Sequence, residues 1–237
     1  MERYFDKELG ELKKNIIDMA QATEAAVRQS IEAVLNRDSR LAEAVIMGDG
    51  AINAMENAIN EQCLDLLALR QPLARDLRLI TAAMRIITDL ERIADQAVNI
   101  AERALELNLR EPLTLPIDLR HMANLALEMV RNGIDAFVKQ DPQLALQVWQ
   151  RDVEVDSLDD EYIQKLLRFM LEDTPAVMRA VHYIIIIRNL ERIADLATNI
   201  CEDIVFIVEG KVIRHGSQGR RPPAPVRLIG CPGSRGG

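Results

Sequence analysis

From about Tyr4 to Asn36, apolar residues recur three and four positions apart: Leu9, Leu12, Ile16 and Met19, then Val27, Ile31 and Val34, with Thr23 filling the gap. That is the helical period, and it predicts a first long helix. Asp38 and Ser39 give a break and a start signal, so a second helix is expected from about Arg40 to Ala68, ended by Gln71-Pro72. A third follows from about Ala74 to Leu109. The two prolines of Glu111-Pro112-Leu113-Thr114-Leu115-Pro116 are hard to fit inside a helix, so this segment reads as a linker. The fourth helix is expected over about Asp118 to Lys139. Asp141-Pro142 then supplies an N-cap followed by proline at the first helical position. The fifth helix runs to about Leu171, Thr174-Pro175 opens the sixth by the same device, and Gly210 is a stop signal. The run Ile184 to Ile187 also fits a buried strand, since β-branched residues favour sheets. No neighbouring segment offers a strand partner, so the helical reading is kept.

The pattern repeats. Leu90-Glu-Arg-Ile-Ala-Asp-Gln-Ala-Val-Asn-Ile100 returns as Leu190-Glu-Arg-Ile-Ala-Asp-Leu-Ala-Thr-Asn-Ile200, identical at nine of eleven positions. Core packing alone would keep the leucines and isoleucines and let the polar positions drift. Here Glu, Arg, Asp and Asn return in register, which points to one chemical task performed twice. Earlier in each half, Asn36 to Leu41 aligns with Lys139 to Leu144, and Asp49 with Asp152, at an offset of 103 instead of 100. The extra three residues fall at the turn between the second and third helix of each set. The expected organisation is all-α, six long antiparallel helices in two matching three-helix sets, residues 1–111 and 112–215, followed by a disordered basic tail, 216–237.

Composition agrees with packed amphipathic helices: 49% hydrophobic, 28% charged and 3% aromatic residues. The net charge of −8 is unevenly spread. Residues 211–237 hold six basic and no acidic side chains, leaving 23 basic against 37 acidic residues, −14, on the body. Such a body repels nucleic acid and anionic membranes and favours cations or basic partner surfaces. Cys63, Cys201 and Cys231 are odd in number and lack CxxC spacing, which argues against a disulfide framework or a thiolate zinc site. Cys63 and Cys201 are expected as small buried hydrophobes, and Trp149 as a packing anchor. The charged N-terminus lacks the apolar stretch of a signal peptide, and no apolar run approaches the roughly 20 residues needed to span a bilayer. A soluble, cytoplasmic protein is expected.

Glu91 and Asp95 are four apart, as are Glu191 and Asp195, so each pair shares a helical face; Asn99 and Asn199 extend each stripe by a turn. Asp49 lies about 21 residues before the first hairpin turn and Asp95 about 21 after it, at similar heights. Asp152 and Asp156 lie about 21 and 17 residues before the second turn, with Glu191 and Asp195 about 18 and 22 after it. Each half can thus gather three or four oxygen ligands between two antiparallel helices. Carboxylates and amides suit hard cations: magnesium, calcium, manganese or iron. His121, His182 and His215 are not spaced to complete the set, and the Glu-x-x-His element of ferritin-like bundles is missing from both repeats. The alternative is a solvated acidic face with Arg92 and Arg192 in local salt bridges. Gly48 and Gly50, flanking Asp49, suggest close approach or a kink.

The doubled motif resembles the signature of PhoU proteins. Leu69-Arg-Gln-Pro-Leu-Ala-Arg-Asp-Leu-Arg78 is similar to that family's turn into its third helix, and Val208-Glu-Gly-Lys-Val-Ile-Arg-His215 to its usual C-terminus. The resemblance covers about residues 5–215. It implies two three-helix bundles related by pseudo-twofold symmetry and Glu/Asp-x-x-x-Asp motifs that hold multinuclear metal clusters on the surface. By position these motifs are Glu91-Asp95, Glu191-Asp195 and Asp152-Asp156. The counterpart of the last is Asp49 with Asn53, where an amide replaces the second carboxylate, so the second cluster is expected to be the stronger. The implied metal is iron first, with manganese, magnesium, calcium or zinc as alternatives. The implied role is a cytoplasmic negative regulator of the phosphate-starvation response that couples a phosphate ABC transporter to a sensor histidine kinase. It would have no catalysis of its own and reach the membrane only through partners. A homodimer is expected, because bundle formation leaves apolar helix faces over. The competing readings are a carboxylate-bridged metalloenzyme, which lacks a nucleophile or histidine constellation, and a metal-free helical scaffold.

Overall fold

Three aspartates start three helices. Asp38 accepts hydrogen bonds from the backbone N–H of Arg40 and Leu41 (3.0 and 3.1 Å), Asp118 from His121 (3.0 Å), and Asp141 from Gln143 and Leu144 (2.9 and 3.1 Å). Each thereby satisfies amides that the first turn leaves unpaired. The computed structural model describes residues 2–113 and 117–210, with side chains from residue 5 onward. It contains α1 (Glu2–Asn36), α2 (Ser39–Arg70), α3 (Ala74–Asn108), α4 (Leu119–Lys139), α5 (Pro142–Glu172) and α6 (Val177–Glu209). The disorder expected for 216–237 lies outside the described residues, as do Cys231 and His215.

The sixth helix starts later than expected. Thr174–Ala176 forms a 3-10 turn first, and neither it nor α6 has a side-chain cap at its N-terminus. The isoleucine run is helical: Ile186 and Ile187 are fully buried, while Ile185 is 36% exposed, because one turn of a helix cannot face the core on all sides. Gly48 and Gly50 neither admit a close neighbour nor break α2. A Cβ at either would meet nothing within 4 Å, since both lie on the exposed side of a continuous helix. Trp149 is half-buried on α5.

The two hairpins α2–α3 and α5–α6 are antiparallel pairs, and α3 and α6 lie at the centre, packed on each other. α3 also packs on α1 and α2, α6 on α4 and α5, and α1 meets α4. Both central helices bury small residues among their neighbours: Ala82, Ala83, Ala97, Ala101 and Ala104 on α3, and Ala180, Ala194 and Ala197 on α6. The buried side chains of both halves form one continuous core. Polar ties cross the same seam. Arg131 pairs with Glu24 (2.7 Å), Arg120 with Glu32, and Arg85 with Asp203 (2.6 Å). The α3–α4 connection is fastened by Arg179, which donates to the carbonyls of Glu111 and Pro112 (3.1 and 3.3 Å). Arg37 donates to that of Asn108 (3.0 Å), where α3 ends and unpaired carbonyls collect.

Candidate metal centres

On α2, Asp49, Asn53 and Glu56 follow at four- and three-residue steps and share one face. Asn53 Nδ2 donates to Asp49 Oδ2 at 2.9 Å. Glu56 is tied to the neighbouring helix, its Oε1 accepting from Thr88 Oγ1 on α3 at 3.0 Å. One and two turns further along α3 stand Glu91 and Asp95. Burial raises the Glu91 carboxyl above the ordinary range, and the charges of Asp95, Glu56 and Asp49 raise it further. Asp95 is raised by burial and then by Asp49 and Glu56. Glu91 and Asp95 on α3 therefore feel the charges of Asp49 and Glu56 across on α2. Asp49 Oδ1 and Asn53 Oδ1 are buried without a hydrogen-bond partner.

The second hairpin repeats this arrangement with one substitution of consequence. Asp152, Asp156 and Asp159 on α5 stand where Asp49, Asn53 and Glu56 stand on α2. Asp152 and Asp159 are 2% and 3% exposed, whereas Asp156 is exposed. Asp159 Oδ2 accepts from Arg188 Nη1 on α6 at 2.7 Å, and its Oδ1 is buried without a partner. Burial pushes the Asp159 carboxyl up to about 6, with Asp160 and Asp156 adding to the shift and Arg188 opposing it. Glu191 is pushed up to about 7 by burial, then by Asp195, Asp159 and Asp156, against Arg188.

Glu56, Thr88, Asp159 and Arg188 escaped the sequence reading. The signal was present, since Glu56 and Asp159 are both acidic at the 103 offset that already aligned Asp49 with Asp152. Asn99 and Asn199 are exposed, a turn beyond the carboxylates. The backbone assembles the two clusters, but the side chains as placed do not close around a point. Among the described residues, no three His, Cys, Asp or Glu side chains stand together in reach of one ion. Nor do local salt bridges absorb the charge: Arg92 turns to Asp89 at 3.7 Å. Among the described residues Glu91, Asp95, Glu191 and Asp195 enter no ion pair. Cys63 and Cys201 are buried and free, and burial raises both thiols to about 12, which makes them packing residues.

The family profile described as PhoU domain matches this chain twice, over residues 16–104 and 119–204. The chain belongs to the PhoU family. It is 38% identical over 207 residues to a Xylella fastidiosa protein named phosphate-specific transport system accessory protein PhoU homolog, covering 87% of this chain and 86% of that one. The protein of the same name from Pseudomonas aeruginosa is 38% identical over 89% of this chain and 88% of its own length. The crystal structure of PhoU from Pseudomonas aeruginosa superposes with a TM-score of 0.83 at 38% identity, over 87% of this chain and all of that one. That of the phosphate transport system regulatory protein PhoU from Streptococcus pneumoniae gives 0.83 at 30% identity, over 89% of this chain and all of that one. The chain thus carries six helices in two matched repeats, and the carboxylates of both hairpins fall inside the matched domains. No described helix is long and apolar enough to cross a membrane.

Proposed function

We propose that this chain is an accessory regulator of a phosphate-specific transport system, holding metal ions at its two carboxylate hairpins and catalysing no reaction. The observation that carries the transport role is the near full-length likeness to proteins named for it. In the finer reading, the protein works in the cytoplasm and restrains the phosphate-starvation response. It does so by linking the transporter to a sensor histidine kinase. The acidic helical body suits basic partner surfaces. Apolar side chains stand exposed near the two hairpin turns, Leu69, Leu73 and Leu77 at one and Leu167, Leu171 and Met178 at the other. They are available to a partner or to a second copy of the chain in a homodimer.

The residues present fit a metal. All the donors are carboxylate or amide oxygens, the set that hard cations prefer, with iron first and manganese, magnesium, calcium or zinc as alternatives. The buried oxygens of Asp49, Asn53 and Asp159 that lack hydrogen-bond partners would gain one. Burial chiefly, and then repulsion among neighbouring carboxylates, raises Glu91, Asp95 and Glu191, and a cation would offset both. Binding would require the side chains to converge further than they do in this structure. A bound ion would cross-link α2 to α3 and α5 to α6.

Deleting the gene should switch on phosphate-starvation genes in phosphate-rich medium, and unchanged expression would refute the regulatory role. Elemental analysis of protein prepared without chelator tests the metal separately. An alanine variant at Glu91, Asp95, Glu191 and Asp195 should lose it, and equal metal content in the two proteins would remove the clusters from the proposal.

A further inference from the structure

The two hairpin turns lie at opposite ends of the molecule. Arg78 Nε donates to the carbonyl of Ile207 at 3.2 Å and Arg85 pairs with Asp203, so the start of α3 sits beside the end of α6. Arg179, in the first turn of α6, reaches the carbonyl of Glu111 just past the other end of α3. Both turns leave large apolar side chains outside, but their charge differs. From Leu69 to Arg78 there are three arginines and one acid, Asp76, whereas the matching stretch from Glu172 to Met178 has two acids and no basic residue. Arg70 corresponds to Asp173 at the 103 offset, and Arg75 and Arg78 to Pro175 and Met178 at the 100 offset. We propose that the α2–α3 turn docks directly on an anionic lipid bilayer, Leu69 and Leu73 entering the acyl boundary while Arg75 and Lys13 meet headgroup phosphates. The contact is independent of any metal and is made by the chain itself, not through a partner protein.

Leu69 and Leu73 are 71% and 80% exposed, and Leu77 continues the patch one turn into α3. Beside it two cations are held together. Lys13 on α1 is half-buried and enters no ion pair among the described residues. Burial and the charge of Arg75 hold its ammonium below the usual lysine range. Arg75 is exposed and donates to the side-chain oxygen of Gln140 at the end of α4, a neutral partner. A phosphate group would serve both cations. Of the acids nearby, Glu8, Glu11 and Asp135 are each paired with a basic side chain, Arg70, Lys7 and Lys139. Lys13, Arg75 and Arg78 then stand against Asp6 and Asp76. The chain continues from Gly210, at this same end, into residues 211–237 with six basic and no acidic side chains. An apolar insertion and a basic segment are the two signals that stable attachment to a membrane surface needs. The acidity of the body does not oppose it. Glu91 lies 16 residues beyond Arg75 on α3, about 24 Å at the helical rise, whereas charges at physiological salt act over roughly 8 Å. A second copy is a poorer occupant, since two such turns would bring like charge to like.

The test is co-sedimentation of the full chain with vesicles of phosphatidylcholine alone and of phosphatidylcholine mixed with phosphatidylglycerol. The protein should pellet with the mixed vesicles only, and added sodium chloride should release it. Leu73→Ser should weaken binding about tenfold, the effect of one leucine no longer leaving water, and Leu69→Ser on top of it should weaken binding further. Arg75→Gln should weaken it several-fold, and glutamine at Arg220, Arg221, Arg227 and Arg235 together at least about tenfold. Leu171→Ser, at the other turn, should leave it unchanged. Leu69, Leu73, Arg75 and Leu171 are exposed, so these variants should keep the fold, which circular dichroism checks. Failure to pellet with the mixed vesicles overturns the proposal, as does equal pelleting with both kinds. Undiminished binding by the Leu69→Ser, Leu73→Ser variant overturns it, and so does an equal loss in Leu171→Ser. Self-association that depends on Leu73, with vesicles left unbound, would assign the turn to a second copy instead and overturn it as well.

Discussion

At Glu191 and Asp159 the folded chain raises carboxyl groups to about 7 and about 6, from ordinary values of 4.5 and 3.8. Burial is the leading cause in both, so ionisation costs more in the folded than in the unfolded chain. The sign follows by linkage. Stability associated with these groups is fully present below their unfolded values and is lost as pH rises through about 6 to 7. Asp89, 7% exposed on α3, adds to the effect, being pushed up to about 7 by burial and by Asp203, against Arg92 and Arg85. In the presence of chelator, thermal unfolding should therefore occur at a higher temperature at pH 5.5 than at pH 8. Glu191→Gln, which stays neutral throughout, should shrink the difference. Melting temperatures that rise with pH, or an identical slope in the variant, would contradict this account.

Helix boundaries were legible wherever a side chain enforces them. Asp38 and Asp141 were recognised as start signals, and both hold two backbone amides. Replacing either by alanine should cost about 1 kcal/mol, and by serine much less, as measured by urea denaturation. The start of α6 was misplaced by three residues because proline fixes φ without dictating whether the first turn is α or 3-10. Spacing along α2 and α3 put Asp49, Glu91 and Asp95 on adjoining helices of the hairpin without any structure. It could not supply the bonds from Thr88 to Glu56 and from Arg188 to Asp159, because which residue of one helix bonds which of its neighbour depends on how each helix is rotated about its axis, and residue counting across a hairpin fixes only height. Gly48 and Gly50 misled for a related reason: a glycine in a helix signals close approach only on the face that packs, and theirs is exposed.

Across the whole molecule, the two repeats share one core instead of owning one each. Ile87 on α3 and Ile187 on α6 are buried equivalents in the two halves of a continuous cluster. Unfolding should consequently be a single cooperative transition. The lone tryptophan, Trp149 on α5, reports on the second repeat, whereas far-ultraviolet circular dichroism reports on all six helices. The two signals should give coincident urea curves. Ile87→Ala, far from Trp149 in sequence, should shift both by ~2–5 kcal/mol of stability. A tryptophan curve unmoved by Ile87→Ala would mean that the halves unfold separately.

The central pairing of α3 with α6 also bears on descent. Each helix is the third of its repeat, so a lone three-helix unit meeting a second copy through that helix would bury much the same surface. Once two copies were joined through residues 109–118, matched positions no longer had to serve both sides of the seam. Asp89 and Asn189, or Thr88 and Arg188, could then part company. A duplicated gene thereby gains what a symmetric pair of identical subunits lacks: two similar sites free to be tuned independently.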